Sequence, residues 1–371
     1  MKKILLGTTA VIALGTLSTE AFAAEKIKLE LGGFARQYVG VTDSDEVTST
    51  NSGAARDKDI SQFSNTEIYF TGSTVLDNGI KVAARIEMEA DGGATDNVDR
   101  NYLAISSDGM GTLTMGQTSP FGEDNMVRAP MAGNFDWTDL NPWVGVADTA
   151  TASTGAFAFQ SNDITDMGDD TIKVKYASPS FSGFSVGGSY GWGEGAGETH
   201  NARRVTGDLD GGYTVGIAYS GDVSGVAVSA DITRAGLNNS NFEQTHVGLN
   251  VGMSGFTVGG GWTDYDDTQA AGTAGLDSTE GSGWELGVGY ETGPYSLSAA
   301  YMNVDDKGTA TAGDDEDTSW QVVATYDLGA GVALSATYFN IEADGEGSGT
   351  TTATGRKSEA SGLIAGIEVG F

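Results

Sequence analysis

Ile80-Lys81-Val82-Ala83-Ala84-Arg85-Ile86-Glu87-Met88-Glu89 puts Ile80, Val82, Ala84, Ile86 and Met88 on one face of an extended chain and Lys81, Ala83, Arg85, Glu87 and Glu89 on the other. Side chains alternate across a strand with a period of two, so the segment has one oily side and one ionic side. In a soluble sandwich the oily side would meet a core. In a membrane barrel it would meet lipid while the ionic side lines water.

The same alternation recurs along the chain. Ile172, Val174 and Tyr176 alternate with Lys173 and Lys175, and Val226, Val228, Ala230 and Ile232 with Ser229 and Asp231. Tyr213, Val215, Ile217 and Tyr219, and later Trp284, Leu286, Val288 and Tyr290, alternate with small residues. Seven short glycine-containing turns punctuate the pattern: Leu76-Asp77-Asn78-Gly79, Asp108-Gly109-Met110-Gly111, Ser180-Phe181-Ser182-Gly183, Gly221-Asp222-Val223-Ser224-Gly225, Gly252-Met253-Ser254-Gly255, Glu291-Thr292-Gly293-Pro294 and Asp327-Leu328-Gly329-Ala330-Gly331. Glycine accepts the positive φ of tight hairpin turns, so each turn predicts a hairpin.

Longer polar segments separate the hairpins, at 43–58, 91–99, 193–210, 264–282, 305–318 and 342–359. Tight turns on one side and long loops on the other are how an outer-membrane barrel is built. Seven hairpins, a first strand over 27–41 and a last over 362–371 predict an all-β transmembrane antiparallel barrel of about 16 strands. Leu363, Ala365, Ile367, Val369 and Phe371 share one face of the last strand, a stripe suited to lipid beside the first strand.

The ends and the composition agree. Met1-Lys2-Lys3, the apolar run 4–17 and Ala21-Phe22-Ala23 have the order of a secretory leader, predicting cleavage of 1–23 and a barrel over 24–371. No later apolar run is long enough for a membrane-spanning helix. The chain has no cysteine, so an exported protein of this size must be held by something other than disulfides. Its 51 acidic and 19 basic residues give a net charge of −32, which excludes nucleic acid as a partner.

Leu29-Glu30-Leu31-Gly32-Gly33-Phe34-Ala35-Arg36-Gln37, Glu67-Ile68-Tyr69-Phe70-Thr71-Gly72-Ser73-Thr74 running into Leu76-Asp77-Asn78-Gly79, Tyr176-Ala177-Ser178-Pro179-Ser180-Phe181-Ser182-Gly183-Phe184 and the terminal Phe371 together resemble the general porins of Gram-negative bacteria, in particular the alphaproteobacterial branch. The resemblance implies a homotrimer of 16-stranded barrels in the outer membrane, among lipid and lipopolysaccharide. It implies passive diffusion of small hydrophilic solutes and ions, and a third outer loop folded inward. That loop is 117–170, the longest interval between strands. Porins of this kind often carry an acidic residue between the loop's proline and phenylalanine; here Pro120 and Phe121 are adjacent and the carboxylates follow.

A pore of this kind selects by width and by charge at its narrowest point. The reading places Glu123, Asp124, Arg128, Asp136 and Asp139 on the inner loop, facing Arg36, Lys81, Arg85, Lys173 and Lys175 on the wall. Each wall residue is opposite in phase to apolar residues of its own strand, and a cation turned to lipid at mid-depth would cost about 2–4 kcal/mol. The alternative for each residue is a solvated position away from the constriction. Acidic vestibules concentrate cations, so weak cation preference is expected.

Asp264, Asp266 and Asp267, and Asp314-Asp315-Glu316-Asp317, read as outer loops without the spacing of a calcium cage. Loosely held Ca2+ at these acidic loops is the metal association to expect, and no cofactor is expected. Tyr190, Trp192, Tyr219, Trp262, Tyr290, Tyr301, Tyr326 and Tyr338 fit interfacial girdles or ordinary strand packing. The two histidines, His200 and His246, lie in no nucleophile, metal or triad motif, so the reading is non-enzymatic. A surface adhesin barrel and a barrel hydrolase stand as the alternatives. N-terminal sequencing of protein purified from outer membranes should begin at Ala24; a chain still carrying Met1 would contradict the leader.

Overall fold

A strand buried in lipid must find a hydrogen-bonding neighbour on both sides, and only closure of the sheet provides one for the first and last strands. The computed structural model describes residues 26–44, 59–91, 98–133, 137, 140, 143, 171–192, 211–238, 242–266, 280–307, 314–345 and 356–371. Within them the strands are β1 (Lys28–Ser44), β2 (Asp59–Val75), β3 (Lys81–Glu89), β4 (Val98–Ser107), β5 (Gly111–Gln117), β6 (Ile172–Ala177), β7 (Phe184–Gly191) and β8 (Gly212–Val223). They continue with β9 (Val226–Leu237), β10 (Glu243–Met253), β11 (Phe256–Asp266), β12 (Glu280–Thr292), β13 (Tyr295–Lys307), β14 (Asp314–Gly329), β15 (Val332–Gly345) and β16 (Arg356–Gly370). One short helix, α1 (Phe121–Asn125), follows β5.

Each strand pairs antiparallel with its sequence neighbours, and β1 pairs with β16, closing a 16-stranded barrel. The seam runs from Phe34 opposite Gly370 to Ser44 opposite Ala360. Beyond it, Gly33 and Phe371 exchange two backbone hydrogen bonds of 3.0 Å.

The hairpin turns fall where glycine marks them. Ser182-Gly183, Ser224-Gly225, Ser254-Gly255 and Ala330-Gly331 all have positive φ at both positions. Paired positive φ follows the right-handed twist of the flanking strands, even where the first residue is a serine or alanine. Several strands run further outward than the alternating pattern indicates. β1 extends to Ser44 and β16 begins at Arg356, and the run Asp314–Asp317, read as loop, lies in β14. Outside the bilayer the ladder's hydrogen bonds continue without apolar side chains, so alternation stops before the strand does. The β9–β10 connection, bounded by Leu237 and Glu243, is the outer crossing that sequence leaves unmarked.

The outer face is apolar. Val215, Ile217, Ile232, Leu249, Val258, Leu286, Val288 and Val322 are exposed on it. Aromatics sit six residues apart on the same face of neighbouring strands: Trp284 and Tyr290 on β12, Tyr295 and Tyr301 on β13, Trp320 and Tyr326 on β14. Cross-strand ring pairs join them into two belts: Trp284 with Tyr301 and Trp320 with Tyr338 on the outer side, Phe256 with Tyr290 and Tyr295 with Tyr326 near the turns. Such belts sit at the two interfaces of a bilayer. Leu286→Arg, between the belts, should lower unfolding free energy in lipid vesicles by about 2–4 kcal/mol. Ser335→Arg, on the inner face of β15, should leave it near the parental value.

Candidate functional site

The inner wall is polar and the segment after β5 lies against it. At its root, Lys173 and Lys175 of β6 reach up beneath the chain. Lys173 is fully buried, its Nζ donating to the carbonyl of Thr118 and, at 3.1 Å, to that of Thr171. Lys175 donates to the Ser119 carbonyl at 2.9 Å and to Thr118 Oγ1 at 3.2 Å, and forms an ion pair with Asp124 at 2.5 Å.

Helix α1 crosses β7 and β8. The Phe121 N–H donates to Ser189 Oγ at 3.0 Å and the Gly122 N–H to Thr214 Oγ1 at 3.3 Å. The Phe121 ring lies over Gly187, where a Cβ would come within 2.3 Å of it, so glycine is what admits the ring. Further on, Glu285 of β12 accepts two donors from the segment, the Ala129 N–H at 2.9 Å and Trp137 Nε1 at 2.6 Å. The Ala132 N–H donates to Ser298 Oγ of β13 at 2.9 Å, and Gln321 of β14 reaches Met131 Sδ at 3.2 Å.

Trp137, Leu140 and Trp143 end this path in an apolar cluster with Tyr38, Met302, Val304, Phe339, Ile341 and Ile364, all inward-facing wall residues. The barrel's largest buried hydrophobic cluster is thus inside the lumen. Burying each large side chain there contributes on the order of 1.5–3 kcal/mol. Starting at β6, the segment follows the wall through β7, β8, β12, β13 and β14 and reaches β1 and β16.

The charged residues concentrate on the opposite arc, β1 to β6. Arg36 pairs with Glu368 at 3.1 Å and lies 4.0 Å over the Phe34 ring. Arg85 pairs with Glu87 and lies 4.1 Å over the Tyr69 ring. Arg100 Nη2 stands 3.9 Å from Glu123 and its Nε 4.0 Å from Asp99. Glu67, Glu89 and Asp99 have carboxylate oxygens within 4.8 Å of one another. That grouping could hold a metal ion or simply draw mobile cations inward.

Of the residues expected at a constriction, Glu123, Asp124 and Lys175 meet at the loop root, whereas Arg36 and Arg85 are engaged by carboxylates of their own wall. Lys173 is enclosed under the loop, and Lys81, at the start of β3, pairs in register with Ser106 near the opposite end of the barrel. Arg128 lies on the seated segment, its carbonyl accepting from Asn250 at 2.9 Å. Asp136 and Asp139 lie outside the described residues. Sequence reading missed Arg100 and Glu285, although parity marks both: they alternate with Leu103 and Ile105, and with Trp284 and Leu286.

A family profile described as Gram-negative porin matches residues 8–346. The chain belongs to the Gram-negative porin family. Solved porin structures superpose on it: an anion-selective porin from Comamonas acidovorans has TM-score 0.60 and 16% identity, covering 93% of this chain and 100% of its own. An outer-membrane protein of Vibrio cholerae in trimer form gives TM-score 0.62 at 12% identity over 94% of this chain and 100% of that one. An outer-membrane channel of Acinetobacter baumannii gives 0.60 at 14% over 96% and 100%. No curated protein sequence matches. These identities carry the fold; the family assignment makes this porin an outer-membrane channel.

Lys175→Met should shift the porin's reversal potential under a salt gradient toward cations, because Asp124 loses its counter-charge. Lys173→Met should leave that potential in place and instead lower stability by about 1–3 kcal/mol, since two buried carbonyls lose their donor.

Proposed function

We propose that the chain is exported behind residues 1–23 and assembles as a homotrimer. In this reading each barrel passes small hydrophilic solutes and ions with a weak preference for cations, and the segment 117–170 forms the constriction. The observation carrying this reading is the route of that segment. Its described residues, 118–133, 137, 140 and 143, lie against the inner wall, and Glu123 and Asp124 come beside Arg100 and Lys175, which supports a water path lined by opposite charges at one level. A solute entering there must replace lost hydration with these groups, which favours polar solutes over apolar ones.

The carboxylate group Glu67, Glu89 and Asp99 and the overall charge of −32 support the cation preference. Ca2+ bridging outward carboxylates such as Asp264 and Glu316 to lipopolysaccharide phosphates extends the proposal to the outer rim.

Support for the trimer comes from one sector of the outer face. On β1 and β2 the exposed amides of Gln37 and Gln62 bond to each other at 3.1 Å, and on β4 the exposed Asn101 donates to the buried Gln117 of β5 at 2.7 Å. Amides facing hydrocarbon are costly, and a neighbouring protomer over β1–β5 would cover them. Single-channel recording in a planar bilayer under a salt gradient tests the whole reading. Large ohmic steps in groups of three, with a reversal potential of cationic sign, are expected; folded protein without conductance would redirect attention to adhesion.

A further inference from the structure

Val127 of the seated segment is held through both of its backbone groups. The Val127 N–H donates to Asp231 Oδ1 of β9 at 2.8 Å, and the Val127 carbonyl stands 3.3 Å from His246 Nε2 of β10. Both wall side chains are fully enclosed and stand 3.4 Å apart. Behind them Thr263 Oγ1 lies 2.9 Å from His246 Nδ1, and Thr233 Oγ1 lies 3.3 Å from Asp231 Oδ2. With the Thr263 hydroxyl donating to Nδ1, the imidazole carries its proton on Nε2, aimed at the Val127 carbonyl and Asp231.

The wall is shaped to receive this residue. A Cβ on Gly248 would lie 2.0 Å from the Val127 carbonyl oxygen, and one on Gly261 2.6 Å from the His246 ring. The next carbonyl, that of Arg128, is taken by Asn250. Val127 also marks a change of character. Before it come Glu123 and Asp124, paired to Arg100 and Lys175; after Arg128 come Ala129, Met131, Ala132, Trp137, Leu140 and Trp143, packed on the wall.

We propose that Asp231 and His246 are positioning residues that clamp the Val127 backbone and thereby set where Glu123, Asp124 and Arg128 stand in the water path. At Phe121, Gly122, Ala129 and Ala132 the wall takes an N–H, and at Thr118, Ser119 and Arg128 it holds a carbonyl. At Val127 both the donor and the acceptor are held, so the chain can neither slide along the wall nor turn about it. An enclosed acceptor and donor are also costly to leave unmatched, which keeps the clamp shut. The charged stretch is short, so a shift at Val127 carries the carboxylates with it. The proposal rests on reading 117–170 as the constriction.

Two substitutions reach the clamp by separate routes. His246→Leu removes the donor, and Gly248→Ala keeps both clamp side chains but drives a methyl against the Val127 carbonyl and Asp231 Oδ1. Both variants, checked for heat-modifiable migration, should lose the single parental current level, which breaks into several, and should shift the reversal potential. His246→Gln, which keeps a donor near Nε2, should retain the parental level.

Because the chain has no cysteine, Glu123→Cys provides a reading of loop position independent of current. Its maleimide labelling should accelerate in the His246→Leu background. Parental current level, reversal potential and labelling rate in folded His246→Leu would overturn the clamp. Accelerated labelling in a barrel that never conducts would uphold the clamp and sink the pore reading instead.

Discussion

Hydrocarbon offers a peptide group nothing to bond with, and the closed ladder between β1 and β16 is this barrel's answer. Along that seam, from Phe34 opposite Gly370 to Ser44 opposite Ala360, alternate register pairs exchange hydrogen bonds and so remove donors and acceptors that would otherwise face lipid. Closure also sets the two faces. Once the strands are in register, parity alone decides that Leu286 meets lipid and Glu285 meets the lumen. A one-residue slip in any strand would exchange them, so the hydrogen-bond ladder and the hydrophobic pattern enforce one another.

A barrel of this strand number is too wide for its wall side chains to fill. The space is occupied on one side by the chain itself. Residues 118–132 come in with backbone groups that need partners, and the wall supplies Lys173, Ser189, Thr214, Glu285 and Ser298 at the positions where they arrive. Glycine and apolar residues complete the seat: Gly40 admits Trp143, whose ring would lie 2.5 Å from a Cβ there, and Ile364 packs with the same ring cluster. Hydrogen bonds fix where the segment lies, and burial of two tryptophans and a leucine supplies the driving force.

Arg36, Glu67, Arg85, Glu87, Glu89, Asp99 and Arg100 lie on the arc left facing water. Arginines there are not isolated: each leans on a carboxylate, and Arg36 and Arg85 also lie over aromatic rings. Pairing and ring contact hold long side chains in place, so the charges act as a fixed lining rather than a mobile fringe. A passing ion therefore meets alternating signs along one wall, with the segment's own carboxylates at the level of Arg100 and Lys175.

The sequence by itself determined the barrel, the face each strand turns to lipid and the positions of seven tight turns. These depend on local chemistry: alternation over about ten residues, and glycine where φ must be positive. An inward third loop was implied by the resemblance to porins, with the long interval 117–170 as its candidate. Tertiary structure alone decided which wall residue meets which part of that segment. Asp231 and Glu285 look like any lumen carboxylates in the sequence, and Lys173 and Lys175, two residues apart on one strand, look equivalent. The fold buries the first lysine under Thr118 and sets the second against Asp124. Such hydrogen-bonded pairings join residues 51 to 190 positions apart, so no local pattern can record them.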